Sequence, residues 1–190
     1  LLGWIAILRS EDVNEEYIVE IEKDVDRLST IANRFSKIGS LPKLKEYNIV
    51  LETQAAFNYL KTRSSKQINF SFSSDKKTLS TLLNIELYGW VIENLIKNSI
   101  DAMQGKGSIS LDIKETTKLI KITVTDSGKG IQKSQFKQIF KPGFTTKKRG
   151  WGLGLSLSKR IIEDYHSGKI YVLKSEIGKG TTFEIQLNKV

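Results

Sequence analysis

ENLIKNSIDAM, residues 93–103, decides the fold reading, because an apolar face and an ordered polar face run along it together. Asn94, Asn98 and Asp101 stand at i, i+4 and i+7 and so share one side of a helix, while Leu95, Ile96 and Ile100 supply apolar contacts elsewhere around it. The pattern predicts a helix from about Ile85 to Met103, with Asn84 as N-cap, Glu86 in the first turn, and Gly105 and Gly107 ending it. Two amides and a carboxylate aligned on a largely buried helix are costly unless something polar meets them. That something is either a satisfied hydrogen-bond network or a polar ligand.

Outward from this helix, residues 108–114 and 119–125 alternate as strands do. Before it come a short strand near 47–51, a helix over about 52–64 and a strand over 68–72; after it come a helix over about 155–165 and strands at 169–174 and 181–187. Strands mixed with helices, without regular β-α-β alternation, predict an α/β two-layer sandwich with a mixed sheet over residues 41–190. Gly39, Ser40 and Pro42 mark its start. Upstream, Ile18, Ile21, Val25, Leu28, Ala32 and Phe35 form a heptad seam, and Leu1, Ile5 and Leu8 repeat the spacing ahead of a polar SEDVN turn. Residues 1–40 therefore read as a helical hairpin whose first helix is cut short by the chain start. Its seam either pairs with a second hairpin in a four-helix bundle, the favoured reading, or packs on the rest of the chain.

Composition narrows the function. The 190 residues contain no Cys and one His, which rules out a disulfide framework and disfavours zinc. No run approaches the ~18–20 apolar residues of a membrane span, and LLGWIAIL leads into Arg9 and acidic residues instead of a cleavage site. A cytoplasmic chain without membrane contact of its own is expected, although a parent protein can carry membrane segments upstream. The net charge of +9 is uneven: residues 41–190 hold 25 basic and 13 acidic groups, and residues 127–150 hold seven Lys or Arg and no acid. Such a block is a solvated face or meets a polyanion, either nucleic acid or nucleotide phosphate.

Two further segments carry chemistry. DSGKGI, residues 126–131, follows a strand and places a carboxylate beside Gly128 and Gly130, which let the backbone turn tightly and a flat ring approach. FKPGFTTKKRGWGLGLSL, residues 140–157, is a basic, Thr-containing loop that runs through Gly150, Gly152 and Gly154 into a helix start, a suitable phosphate cradle. It is neither a Walker A loop nor a dinucleotide fingerprint.

In order along the chain, these segments resemble the motif series of the GHKL superfamily in its histidine-kinase branch. ENLIKNSIDAM is similar to the N box, DSGKGI to the first glycine box, FKPGFTTK to the F box, GWGLGL to the second glycine box and GKGTTFEI to the last. The resemblance covers residues 41–190, and the preceding hairpin resembles the dimerisation and phosphotransfer domain.

The resemblance implies ATP and Mg²⁺ as ligands. Asn98 would hold the metal and Asn94 would support phosphates or metal, with Asp101 on the same face. Asp126 would accept the adenine amino group, with Gly128 and Gly130 beside it and Thr181 or Thr182 reaching the same ring edge. Phe140, Thr145, Lys147 and Arg149 would belong to a lid, Lys147 and Arg149 contacting phosphate, while Gly150, Gly152, Leu153 and Gly154 bring backbone close. Hydrolysing members of the superfamily carry a Glu base four residues before the metal-binding Asn; here that place is Asn94, and Glu93 faces elsewhere. Transfer to a His therefore fits better than hydrolysis. His166 reads as structural, Trp151 as a packing anchor in preference to a base-stacking platform, and Met103 as core.

The implied function is an ATP-dependent histidine protein kinase region that acts on a His upstream of this chain, for relay to a response regulator receiver domain. Homodimerisation through the hairpin and no nucleic-acid partner accompany it. The rival readings are a GHKL ATPase or anti-sigma-type serine kinase, and a non-enzymatic nucleotide-binding module.

Overall fold

The computed structural model describes residues 18, 19, 21, 22, 25, 42–147 and 151–190. The chain divides into two compact units, Leu1–Pro42 and Lys43–Val190. In the first, residues 18, 19, 21, 22 and 25 are helical; Ile18 and Val25, seven positions apart, are buried, and Ile21 is exposed. Leu1, Ile5, Leu8, Leu28, Ala32 and Phe35 lie outside the described residues.

The second unit runs β1 (Lys45–Asn48), α1 (Ile49–Lys61), β2 (Ile68–Ser74), β3 (Ser80–Leu83), α2 (Ile85–Met103), β4 (Gly107–Glu115), β5 (Leu119–Asp126), α3 (Gly154–Arg160), β6 (Lys169–Glu176) and β7 (Gly180–Asn188). Its five-stranded sheet has the order β2-β4-β5-β7-β6, parallel between β2 and β4 and antiparallel elsewhere. β1 and β3 form a separate antiparallel pair. Period-2 alternation assigns each strand one apolar face: Ile109, Leu111 and Ile113 from β4, Ile120, Ile122 and Val124 from β5, and Phe183, Ile185 and Leu187 from β7 are all buried. The opposite face is polar, as in the Thr125–Thr182 hydroxyl pair at 3.0 Å. From α2, the stripe Tyr88, Ile92, Leu95, Ile96, Ser99 and Met103 is buried, and from α1 Phe57 packs on Phe70 and Phe72 with ring centroids 5.4 and 5.7 Å apart. Two layers enclosing one core result, the expected mixed α/β sandwich.

Local departures have identifiable causes. α1 begins at Ile49 instead of near 52, because Asn48 caps it, its side chain accepting from Val50 N at 3.2 Å and from Leu79 N at 3.2 Å. β3 is too short to show alternation in the sequence. The helix expected over 155–165 changes after Arg160 into a π-helical turn, Ile161–Tyr165, which leaves the Ile161 carbonyl to His166.

His166 is 5% exposed and bonded at both ring nitrogens: Nε2 accepts from Asn84 N at 3.0 Å and Nδ1–H donates to Ile161 O at 2.8 Å. Those partners assign the neutral Nδ1–H tautomer and join the C-terminal end of the α3 segment to the N-cap of α2. Burial lowers the His166 pKa below its ordinary value, against the opposing pull of the two backbone contacts. The unfolded chain therefore takes up the proton first, so this contribution to stability is complete above the ordinary His pKa and is lost as pH falls through it. Melting the wild type and His166→Gln at pH 7.5 and 5.5 should show the smaller acid-induced drop in the variant. The difference should be about 2–4 °C, as accompanies ~1 kcal/mol in a domain of this size.

Candidate functional site

The alternation that buries Ile120, Ile122 and Val124 carries Asp126, the last residue of β5, onto the same face, where it is 4% exposed. Its Oδ1 accepts from Gly128 N at 2.8 Å and from Thr181 N at 3.3 Å. Burial raises the Asp126 pKa, while the Gly128 amide, the neighbouring Ser99 hydroxyl and the Thr181 amide pull it back. A carboxylate thus stands inside the domain with one oxygen held by backbone.

The loop after β5 is fixed from both sides. A Cβ at Gly128 would sit 2.7 Å from the Ala102 Cβ, so only glycine lets the loop lie on the C-terminal end of α2, where Lys129 N reaches Ala102 O at 3.0 Å. On its other side Ile131 N donates to Ser175 Oγ at 2.8 Å and Gly178 N to Lys129 O at 2.9 Å, which tie it to the β6–β7 hairpin. Ser175 Oγ also lies 2.9 Å from Thr181 Oγ1.

Along α2, Asn94 and Asn98 are half-buried and Asp101 is exposed, so this face is open rather than sealed in the core. Asn94 Nδ2 donates to Ser158 Oγ of α3 at 2.9 Å, and a Cβ on Gly154 would come within 2.5 Å of Asn94 Oδ1. Asn98 Oδ1 accepts from Lys147 Nζ at 2.8 Å, and the same ammonium bonds Asp101 Oδ2 at 2.5 Å. One turn back, Glu93 pairs with Lys97 at 3.0 Å and stays off this face. The segment bearing Lys147 is closed at its base by Gly143 N to Gly152 O, 3.0 Å, and is steadied by Thr145 Oγ1 accepting from Lys147 N at 3.1 Å. Phe140 is buried edge-on against Phe183 with centroids 6.4 Å apart, which anchors the start of that segment in the core. A buried carboxylate, an amide oxygen already facing a cation and a basic glycine-bearing loop thus converge around one end of α2.

Residues 85–190 match the family described as histidine kinase-, DNA gyrase B- and HSP90-like ATPase. The chain belongs to this family. Among its relatives, the sensor histidine kinase ZraS of Salmonella typhimurium is 36% identical over 87% of this chain and 36% of its own length. Sporulation kinase A of Bacillus subtilis is 31% identical over 98% of this chain and 31% of its own. The chain thus spans about a third of the length of these relatives. In structure it is similar to the catalytic domain of the histidine kinase ThkA, with a TM-score of 0.71 and 30% identity over 77% of this chain and 96% of that one. It is also similar to ThkA in a structure with the response regulator TrrA, with a TM-score of 0.76 and 26% identity over 99% of this chain and 56% of that one. Residues 85–190 are a histidine-kinase-type ATPase domain homologous to those of sensor kinases, and this family membership implies ATP binding.

Within the ATPase domain, the structure brings Asn94, Asn98 and Asp101 together with Lys147 and Gly154, and groups Asp126 with Gly128 and Thr181. Thr182 points to the opposite sheet face, toward Thr125, and Phe140 packs in the core. Gly130 backs onto the Glu176–Ile177 backbone, and Leu153 O accepts from Leu157 N at 3.0 Å as α3 starts. Arg149 and Gly150 lie outside the described residues. Trp151 is 49% exposed, so it does not anchor the loop in the core. Sequence reasoning overlooked Ser99, a hydroxyl on the buried stripe of α2, and Ser158 and Ser175, whose single hydroxyls carry no periodic signal.

Among the described residues, the Lys147 ammonium is held by Asn98 and Asp101, and its ion pair with Asp101 is half-exposed and so weak. Trypsin should cut after Lys147, Lys148 or Arg149 readily in the nucleotide-free protein, and several-fold more slowly with a non-hydrolysable ATP analogue and Mg²⁺. Equal rates in the two states would count against a phosphate-gated loop.

Proposed function

We propose that this chain is the catalytic part of a histidine protein kinase: it binds Mg-ATP at the C-terminal half of α2 and passes the γ-phosphoryl group to a His outside the ATPase domain. The observation that carries the reading is Asp126, a buried carboxylate with Oδ1 held by Gly128 and Thr181, which leaves an acceptor for the adenine amino group. Guanine presents an oxygen at that edge, so two acceptors would face each other.

A hard divalent cation fits the opposite end of the site, because the Asn98 and Asp101 oxygens already hold the Lys147 ammonium. Asn98 Oδ1 is the protein donor for Mg²⁺, which when bound neutralises phosphate charge. Asn94, tied to Ser158, keeps the start of α3 against α2 so that Gly152, Leu153 and Gly154 bring backbone near the phosphates. Lys147 exchanges its α2 partners for phosphate oxygen, joined by Arg149. Thr145 shapes the loop, and Phe140 anchors it. Positioning and charge neutralisation are what phosphoryl transfer asks of a protein.

Hydrolysis is disfavoured, because Asn94 takes the place of a base and Glu93 is engaged by Lys97. His166 is an unsuitable acceptor: it is buried and bonded at both nitrogens, and it is the only His in the sequence. The acceptor therefore belongs to a longer form of the protein, on a dimerising helical hairpin of which residues 1–40 are part. Similarity to a kinase structure that contains a response regulator supports a receiver domain as the next phosphate carrier. A cytoplasmic site of action belongs to this reading; among the described residues no helix is long and apolar enough to cross a membrane. Calorimetric titration with ATP and GTP, each with and without Mg²⁺, tests the reading. ATP should bind at least about tenfold more tightly than GTP and more tightly with Mg²⁺ than without; equal affinity for the two bases would remove its basis.

A further inference from the structure

The phosphate end of the site holds a cation of its own. Lys147 Nζ lies 2.8 Å from Asn98 Oδ1 and 2.5 Å from Asp101 Oδ2, so the amide oxygen assigned above to Mg²⁺ is already engaged by an ammonium. The neighbouring Thr146 is tied from the other side, its Oγ1 accepting from Lys129 Nζ in the loop after β5 at 3.3 Å. Residues 146 and 147 are thus bonded both to that loop and to α2. Helix electrostatics accounts for where the ammonium sits. Asp101 lies in the last turn of α2, where a carboxylate adds to the negative end of the helix dipole, and that turn contains no basic residue. Lys147, 46 positions further along the chain, supplies the missing positive charge.

We propose that Lys147 is a built-in competitor of the nucleotide: in the empty site it occupies the oxygen that Mg²⁺ needs, and Asp101 is the positioning residue that keeps it there. The inference rests on the Mg-ATP reading above and deepens it. Mg-ATP binds only those molecules in which Lys147 has left α2, and its apparent affinity is lowered by that fraction. Because the Lys147–Asp101 pair is half-exposed, the effect is modest, about two- to fivefold. Once displaced, the same ammonium is free for phosphate oxygen, so one side chain opposes entry and then holds what has entered.

Asp101→Asn separates this role from that of a ligand. The exchange keeps the size of the side chain and removes a carboxylate from a helix C-terminus, so the variant should melt at the wild-type temperature or higher. Competition predicts that it binds Mg-ATP about two- to fivefold more tightly. Adenosine does not reach Lys147 and should bind both proteins alike. A metal ligand would give the opposite sign. Loss of a negative charge near the phosphates by itself also favours ATP, and a double-mutant cycle divides the two effects. With Lys147→Met in the background there is no ammonium to displace, so the gain from Asp101→Asn should largely disappear. Trypsin supplies a readout without nucleotide: the empty Asp101→Asn protein should be cut after Lys147 about two- to fivefold faster than the empty wild type, as cleavage follows the released fraction.

Calorimetric titration of the wild type, both single variants and the double variant with Mg-ATP and with adenosine decides the matter, with the trypsin rates beside it. Weaker Mg-ATP binding by Asp101→Asn would overturn the proposal, as would the same gain in both backgrounds or unchanged cleavage of the empty protein. Equal weakening of Mg-ATP and adenosine would make Asp101 structural and overturn it as well. Failure of the wild type to bind Mg-ATP at all would overturn the nucleotide reading, and this proposal with it. Mg-ATP binding by the wild type that Asp101→Asn leaves unchanged would overturn only the competition by Lys147.

Discussion

Replacing Asp126 with Asn is expected to weaken ATP binding roughly ten- to a hundredfold, the factor for a charge-assisted hydrogen bond of ~1.5–3 kcal/mol. The exchange keeps size and shape but turns part of an acceptor into a donor that faces the adenine amino group. The Gly128 and Thr181 amides can still be met by the remaining carbonyl oxygen, so the fold should persist. Burial lifts the Asp126 pKa above the usual carboxylate range. Wild-type affinity should consequently fall as pH drops through that raised pKa, while the Asn variant, with nothing to protonate, should respond much less. Titrations across the acidic range measure both effects, and an unchanged affinity would mean that the ring is read elsewhere.

Asn98→Ala should act at the other end of the nucleotide. Loss of the amide oxygen should weaken Mg-ATP binding by about tenfold or more while adenosine binding stays nearly intact, because the amide serves only the phosphate end. The substitution also releases Lys147 from one of its two α2 partners, leaving Asp101. Equal weakening of adenosine and Mg-ATP would make Asn98 structural.

Much of this was legible in the residues. α2 was read to its bounds because apolar periodicity, the Asn84 cap and the closing glycines agree, and the structure supplies the capping bond, Leu87 N to Asn84 Oδ1 at 3.1 Å. β4 and β5 were legible from their alternation, and the mixed sheet from strands interspersed with helices without a regular β-α-β order. Asp126 was singled out from its place after a strand, yet its burial was also readable, since it continues the Ile120, Ile122, Val124 face. Ser99 was overlooked for the converse reason: the polar face of α2 drew the reading, and one small hydroxyl on the apolar stripe passes as core. What no pattern could supply is contact between distant segments. The His166 bond to Asn84, the Asn94 bond to Ser158 and the Lys147 bridge to Asn98 span 82, 64 and 49 positions, and they exist only once the layers have closed.

The central claim, phosphoryl transfer to a His outside the ATPase domain, is tested most directly by labelling. The 190-residue chain would be incubated with γ-labelled ATP and Mg²⁺, alone and with a longer form that contains the hairpin histidine and carries Asn98→Ala. Acid-labile, base-stable phosphate should appear on the longer form only when the two chains are mixed, and His166→Gln in the shorter chain should not reduce it. Strong labelling of the 190-residue chain by itself that disappears in His166→Gln would contradict the account.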